Sequence, residues 1–502
     1  MNIINLIEDA NYKYKERIAY EYDGDTITFG DVYKKTLSVA TKISLISEEG
    51  KPIVVISNKN LNIPSIYLGI AHSNCFYVPV SSEMPTIKIE NILNITEAAI
   101  VLSDEDNLEK VKELNFKGKI LTLEECVNNS INYQIIEQRK KRILETYPLY
   151  TIFTSGSTGA PKGVVTCHAS VVDYVSTFIK TFNITENEVF GNQAPLDYIA
   201  GIRDIYIPLM TGCKTIFIKK SLFSTPKLLF EYLNDNKVTT ICWVSPALSL
   251  CCQFNVFEEI KLKYVTKIFF TGSVFDYKDL NKWKKELPSA MFVNHYGPTE
   301  ITASCTYYTV DNNKEYTKPA PIGVAFDNRK VLVIGENGRP VKQGEIGEIC
   351  VIGRCLALGY YKNDDKTREC FVQNPINTMY PEKMYKTGDL GCVDVDGNLI
   401  FCGRKDNQIK HMGHRVELDE IESIANACNN VEEVCCVYNT VKGVITLFYS
   451  GTASAGEISK FLRQNLPSYM IPRKFIVLEK LPKLFNGKID RQTIKKQMEE
   501  LQ

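Results

Sequence analysis

The run Thr154-Ser155-Gly156-Ser157-Thr158-Gly159-Ala160-Pro161-Lys162-Gly163 concentrates hydroxyls, unhindered backbone and a single cation. It follows the apolar, β-rich stretch Leu149-Tyr150-Thr151-Ile152-Phe153. A strand that runs into such a loop offers backbone N–H groups and hydroxyls to an anion, and glycine lets the chain approach it closely. With one lysine and no acid in the loop, the matching guest is a polyphosphate. The spacing is not G-x-x-x-x-G-K-[ST], so a loop that holds pyrophosphate as it leaves fits better than a P-loop cradle. Taken alone, the same run also describes a flexible surface loop.

The elements around this loop follow from the hydrophobic pattern. Short apolar runs recur between amphipathic segments: Pro52-Ile53-Val54-Val55-Ile56-Ser57, Ala98-Ala99-Ile100-Val101-Leu102, Thr215-Ile216-Phe217-Ile218 and Thr239-Thr240-Ile241-Cys242-Trp243-Val244. Runs of this length predict buried, mainly parallel strands with helices between them, an α/β fold rather than a sandwich or a bundle. Over residues 330–361, turns at Gly335, Gly338, Gly344, Gly347, Gly353 and Gly359 predict a more antiparallel, barrel-like β subdomain. The polar stretch Gly403-Arg404-Lys405-Asp406-Asn407-Gln408 follows Leu399-Ile400-Phe401 and marks a boundary. Residues 1–403 are expected to form a large N-terminal core of two mainly parallel α/β sheet subdomains plus the β subdomain. Residues 407–502 are expected to form a small α+β C-terminal domain, with a hinge near 404–406.

The totals narrow the function classes. A chain of 502 residues exceeds one compact core, and 44% hydrophobic with 24% charged residues is ordinary for a globular protein. Lys+Arg and Asp+Glu balance at 59 each, so no global field favours nucleic acid or an anionic membrane, and a small-molecule substrate is expected. The N-terminus lacks a basic, apolar leader, and no stretch approaches the roughly 20 apolar residues of a membrane helix. Sixteen scattered cysteines without C-x-x-C read as reduced, mostly buried thiols in a cytoplasm. Five histidines, none in H-x-x-x-H spacing, argue against zinc.

The loop at 154–163 resembles the phosphate loop of the adenylate-forming superfamily, which includes acyl-CoA synthetases, luciferases, the adenylation domains of nonribosomal peptide synthesis and D-alanine–carrier-protein ligases. The resemblance covers nearly the whole chain in family order. Ile27-Thr28-Phe29-Gly30-Asp31-Val32 is similar to the first core motif, and Asn294-His295-Tyr296-Gly297-Pro298-Thr299-Glu300 to N-x-Y-G-P-T-E. Gly347-Glu348-Ile349 through Leu358-Gly359-Tyr360, then Tyr385-Lys386-Thr387-Gly388-Asp389, then Gly403 through Lys410 follow in order. Leu466-Pro467-Ser468-Tyr469-Met470-Ile471-Pro472 and Asn486-Gly487-Lys488 complete the series.

The resemblance implies a carboxylate activated by ATP with Mg²⁺, giving an acyl-adenylate and pyrophosphate. Thr154, Ser155, Gly156, Ser157, Thr158, Gly159 and Lys162 would handle the β- and γ-phosphates, and Thr299 the α-phosphate. Glu300 would hold Mg²⁺. Asn294 and Tyr296 would frame the adenine, Gly272 and Gly297 would also bind the ATP, and Asp389 with Arg404 would take the ribose. Lys488 would be catalytic, a cation between the attacking carboxylate oxygen and the α-phosphate. Asp406 matches the hinge acid. Rotation about it would exchange Lys488 for the segment Lys410-His411-Met412-Gly413-His414-Arg415, with Gly413 letting a pantetheine arm pass. Many relatives carry arginine where this chain has Met412.

The acid pocket departs from the family pattern. Amino-acid-activating relatives carry F-D-x-S, whose aspartate pairs with the substrate ammonium. Alignment on Asn192-Gln193-Ala194-Pro195 and Asp204-Ile205-Tyr206 puts Ile199 in the aspartate's place and Gly201 in the serine's. An unpaired ammonium facing Ile199 costs several kcal/mol by order of magnitude, which disfavours an ordinary α-amino acid. An aryl, hydroxy, keto or acyl acid is one reading. A β-amino acid reaching Asp197, two residues upstream and on the same face if the segment is extended, is the other, and Asp197 also reads as a structural turn residue. The remaining pocket positions are Ala200, Arg203, Ala247, Phe269, Thr271, His295, Ala303 and Ser304. Small residues with one aromatic wall put a compact hydroxylated aryl acid ahead. Arg203 would meet a second carboxylate, or pair with Asp197 or Asp204.

Fourteen residues follow Lys488, and neither a carrier domain nor a condensation motif is read in the chain. The expectation is a free-standing adenylation protein that loads the phosphopantetheine thiol of a separate carrier protein. A CoA ligase using free CoA is the alternative enzyme, and a degenerate, non-catalytic scaffold the alternative outside enzymes.

Overall fold

A computed structural model describes residues 1–156, 161–440, 442–483 and 489–500, the side chains of the last two excepted. The chain divides into two units. The first comprises residues 1–82, 96–152 and 163–405, and the second 83–95, 153–162 and 406–502.

The first unit is built on three sheets. A nine-stranded sheet has six adjacent parallel strands: Met291–Tyr296, Lys267–Thr271, Thr240–Val244, Val189–Asn192, Lys214–Phe217 and Ile18–Tyr22. Antiparallel strands close both edges. In a seven-stranded sheet, Lys119–Thr122, Ile100–Ser103, Pro52–Ser57, Phe76–Ser81 and Pro148–Thr154 run parallel. The apolar runs account for these strands. Thr240–Val244 is buried at every residue, as a strand covered on both faces requires. The third sheet is wholly antiparallel, and its long strand Lys383–Val393 pairs with Gly347–Gly353, Phe371–Gln373 and Leu399–Arg404.

The helix Ile199–Thr211 matters most for the acid pocket. Pro208 lies inside it and cannot donate to the Asp204 carbonyl. The Thr215 hydroxyl donates to that carbonyl instead, at 2.9 Å, and the Tyr20 hydroxyl to Ile205 O at 2.6 Å. The helix stops at Gly212, whose φ of 75° is left-handed. Its start is packed against the preceding turn, because a Cβ at Gly201 would lie 2.5 Å from Pro195 O.

The second unit contains the hairpin Gln408–His411 with His414–Glu417 and a three-stranded sheet of Val431–Asn439, Val444–Gly451 and Lys474–Val477. The helix Ala455–Asn465 starts with a capping box from Ser454 and Glu457.

All sixteen cysteines are free. Thirteen are buried, Cys370 and Cys392 are half-buried, and only Cys402 is exposed. Among the described residues no helix is long and apolar enough to cross a membrane.

Candidate active site

The C-terminal ends of the parallel strands, the edge at which open α/β sheets bind ligands, carry some of the sequence-predicted residues of the first unit. Asn294 and Tyr296 sit in the last three residues of the strand Met291–Tyr296, Thr271 ends Lys267–Thr271, and Gly272 follows with φ 91°. The Asn294 amide donates to Pro321 O at 2.8 Å.

Tyr296, Asp389 and Arg404 meet. The Tyr296 hydroxyl donates to Asp389 Oδ2 at 2.5 Å, and Arg404 pairs with Asp389 Oδ1. Burial and the Asp389 charge push the Tyr296 hydroxyl well above its usual range, so it stays a donor. Asp389 and Arg404 are register partners on adjacent antiparallel strands, which fixes the pair through the backbone. The preceding turn is held by Glu348, which accepts from Gly388 N and from Lys405 Nζ, each at 3.0 Å.

Glu300 is 1% exposed and lies in a short helical turn, Thr299–Ile301, together with buried Thr299. Its Oε1 accepts the Tyr360 hydroxyl at 2.7 Å. The loop beyond is bent hard: Thr302 and Ala303 have φ of 54° and 73°, a region costly for a β-branched residue. Gly297 makes room for it, since a Cβ there would lie 2.5 Å from Ala303 O. Among the described residues no group of three or more His, Cys, Asp or Glu could cage a metal. Glu300 is a hard carboxylate of the kind that shares Mg²⁺ with phosphate oxygens.

The predicted acid-pocket positions lie on separate elements. Ile199, Ala200 and Arg203 occupy the start of the helix Ile199–Thr211, Ala247 lies on Ser245–Gln253, and Phe269 and His295 on adjacent parallel strands. Ala303 ends the bent loop and Ser304 follows it; Thr271 is half-buried and the other positions named here are buried. His295 is enclosed by Phe178, Phe182, Phe269 and Phe326, and burial with the nearby Arg203 and Arg329 charges holds it neutral. Among the described residues, neither of its ring nitrogens has a hydrogen-bond partner.

Arg203 and Asp197 have defined surroundings. Arg203 pairs with Asp204, Nε to Oδ1 at 3.0 Å, and stands over the Phe178 ring. Asp197 is not in an extended segment. The Tyr198 N–H donates to Pro195 O at 3.3 Å, closing a turn with Leu196 and Asp197 at its centre. The alternation that put Asp197 on the face of Ile199 therefore does not apply.

In the second unit, Thr154 is buried, the Ser155 hydroxyl donates to Arg415 O at 2.8 Å, and Lys162 Nζ lies 3.7 Å from Glu417 Oε1. Lys410 pairs with Arg415 across the hairpin, whose two-residue turn has positive φ at Met412 (52°) and Gly413 (84°). His414 stacks on Tyr469 at 3.8 Å. Asp406 Oδ1 accepts from Gln408 N at 3.2 Å. Ser157, Thr158, Gly159 and Lys488 lie outside the described residues, as does Ala160.

The family pattern described as AMP-binding enzyme matches residues 7–361, and that of the AMP-binding enzyme C-terminal domain matches 420–488. The chain belongs to the AMP-binding enzyme family. It is an adenylate-forming ligase that releases AMP, and such ligases draw their AMP from ATP. This AMP-binding enzyme is 28% identical to tyrocidine synthase 1 of Brevibacillus parabrevis over 499 residues, covering 98% of this chain and 45% of that protein. It is 29% identical over 521 residues to a D-alanine--D-alanyl carrier protein ligase of Bacillus cereus, covering 98% and 99%. The fold is similar to that of the Vibrio cholerae adenylation domain AlmE, solved in complex with glycyl-adenosine-5'-phosphate. The TM-score is 0.84 with 21% identity, over 99% of this chain and 97% of that one.

Three side chains of this AMP-binding enzyme carry structure that sequence reasoning did not assign. Glu348 and Tyr360 lie inside quoted motifs, so their place was visible but their partners, Gly388 N and Glu300, were not. Lys59 lies in no motif, and its Nζ donates to three main-chain carbonyls.

Proposed function

We propose that this ligase activates a small carboxylic acid without an α-amine, an aryl or hydroxy acid, and passes the acyl group to the phosphopantetheine thiol of a carrier protein. Ile199 carries the choice of acid. It is buried at the start of the pocket helix, where an amino-acid-activating relative needs an aspartate. An ammonium there would be desolvated without a counter-charge. Asp197 supports the β-amino-acid reading less well, since its turn draws it toward Lys59 and Tyr67, both of which feel its charge.

The carboxylate oxygen attacks the α-phosphorus of ATP, the bond to the β-phosphate breaks and pyrophosphate leaves. Two anions meet in this step, and Lys488, Lys162 and the Thr299 hydroxyl offset their repulsion. Glu300 would hold Mg²⁺, which would supply charge neutralisation on the phosphates. Tyr296 and Asn294 frame the adenine, and the Asp389–Arg404 pair takes the ribose hydroxyls. In the second step the acceptor sulfur attacks the acyl carbon and AMP leaves, with Lys410 and Gly413 lining the thiol's approach and residues 404–406 acting as hinge. The carrier named for the D-alanine ligase relative supports a carrier-borne thiol as acceptor.

Pyrophosphate release with MgATP, measured over hydroxybenzoates, keto acids, short fatty acids, β-amino acids and the common α-amino acids, tests the substrate. Aryl or hydroxy acids should respond. A response to β-amino acids would give Asp197 the recognition role, and a response to α-amino acids would overturn the reading of Ile199. Transfer to holo-carrier protein rather than free CoA is expected in the second step. Asp389→Asn should raise the KM for ATP by roughly 10–100-fold, the worth of a hydrogen bond to a charged group.

A further inference from the structure

Lys59 follows the strand Pro52–Ser57 of the seven-stranded sheet, but its amine belongs to the nine-stranded one. Nζ donates to Gln193 O at 2.9 Å, Ile218 O at 3.3 Å and Asn192 O at 3.4 Å. These carbonyls stand at the C-terminal ends of the neighbouring strands Val189–Asn192 and Lys214–Phe217, themselves joined there by Ile218 N to Asn192 O at 3.1 Å. One ammonium thus ties a loop of one sheet to two strand ends of the other.

The acid pocket hangs from the same carbonyls. Asn192 and Gln193 lead directly into the turn Pro195–Tyr198 and the first residues of the pocket helix. The Asn192 amide donates to Asp204 Oδ2 at 2.7 Å, and Asp204 Oδ1 holds Arg203. Gln193 Oε1 accepts from Val244 N at 3.4 Å, and the Tyr67 hydroxyl donates to Leu196 O at 3.3 Å.

We infer that Lys59 is a positioning residue for the acid pocket, its ammonium fixing the backbone from which the turn and the helix bearing Ile199, Ala200 and Arg203 begin. This rests on the reading that those residues form the acid site. An ammonium has three N–H donors and a neutral amine two, so deprotonation loosens the clamp. Burial pulls the Lys59 amine down to about 7, against Asp204 on the helix and Asp197 in the turn, which both hold it up. The clamp is therefore intact below about pH 7 and weakens above it. The folding contribution has the opposite slope. The unfolded amine binds its proton near the ordinary 10.5 and the folded one only near 7, so this group makes stability rise with pH through that window.

The test is acid-dependent ATP–pyrophosphate exchange by the full chain, with KM measured separately for acid and for ATP between about pH 6 and pH 9. The wild type should show an acid KM rising roughly tenfold through pH 7 while the ATP KM does not follow, the scale of one charge-assisted hydrogen bond. Lys59→Arg, which stays charged, should flatten that rise. Lys59→Met should raise the acid KM at every pH. A Lys59→Met enzyme with wild-type acid KM, or a Lys59→Arg enzyme that keeps the pH dependence, overturns the inference. If Lys59→Met fails to fold, the arginine variant and the wild-type profile still decide it. A wild type active on α-amino acids refutes the proposed substrate class, and the acid KM of the Lys59 variants is then read on those acids; a wild type active on aryl or hydroxy acids whose Lys59 variants keep its acid KM and pH profile refutes only the clamp.

Discussion

Lys488→Ala will lower adenylate formation by roughly 10²–10³-fold and leave thioester formation from a supplied acyl-adenylate close to wild type. The asymmetry follows from the charge that each half-reaction develops. In the first, a carboxylate oxygen closes on the α-phosphate and negative charge crowds at one place, so a cation there stabilises the transition state more than either reactant. In the second, a thiol attacks an acyl carbon that has already been activated, and the leaving group is AMP. A cation placed between carboxylate and α-phosphate has no counterpart in that step. Pyrophosphate exchange reads the first half-reaction and AMP release from acyl-adenylate plus thiol the second. Equal losses in both, or none in either, would remove Lys488 from the catalytic role.

Glu300→Gln will cost adenylate formation on the order of 10²–10³-fold while leaving the fold intact. The substitution keeps the shape and the acceptor oxygen that the Tyr360 hydroxyl uses, and removes only the negative charge. Because Glu300 is 1% exposed, that charge is poorly screened, and its loss falls on whatever cation the phosphates bring with them. The defect should shrink as Mg²⁺ concentration rises, which separates metal recruitment from a packing fault. Tyr360→Phe is the matched control. It deletes the neutral donor, keeps the carboxylate, and should lower the rate by less than about tenfold. An equal loss in both variants would mean that the hydrogen bond, not the charge, matters.

How much of this was legible in the sequence depends on what held each piece in place. The strands were, because covered parallel strands demand unbroken apolar runs, and Pro52–Ser57 and Thr240–Val244 form where such runs occur. Tyr296, Asp389 and Arg404 were found through motifs, although 93 residues separate the first two. The pocket segment left two readings open, an extended chain and a structural turn at Asp197, and the structure shows the turn. A period-two argument assumes an extended chain, and Pro195-Leu196-Asp197 instead makes a turn that packs on Gly201, a signal present in the proline and the glycine. Lys59 could not be found this way. Its partners are backbone carbonyls at least 133 residues distant, and a carbonyl has no side-chain identity to leave in a motif.

The cysteines give the chain a built-in readout of how each unit opens. Cys402, across the hairpin from Cys392 with the sulfurs 3.7 Å apart, is the one exposed thiol, and should be the first to take up a maleimide in the native protein. Burial pushes the Cys126, Cys213 and Cys242 thiols of the first unit up to about 12, and Cys435 of the second likewise. Such thiols react only when their surroundings come apart. Peptide-resolved labelling over time would therefore rank the two units by opening free energy without any introduced probe.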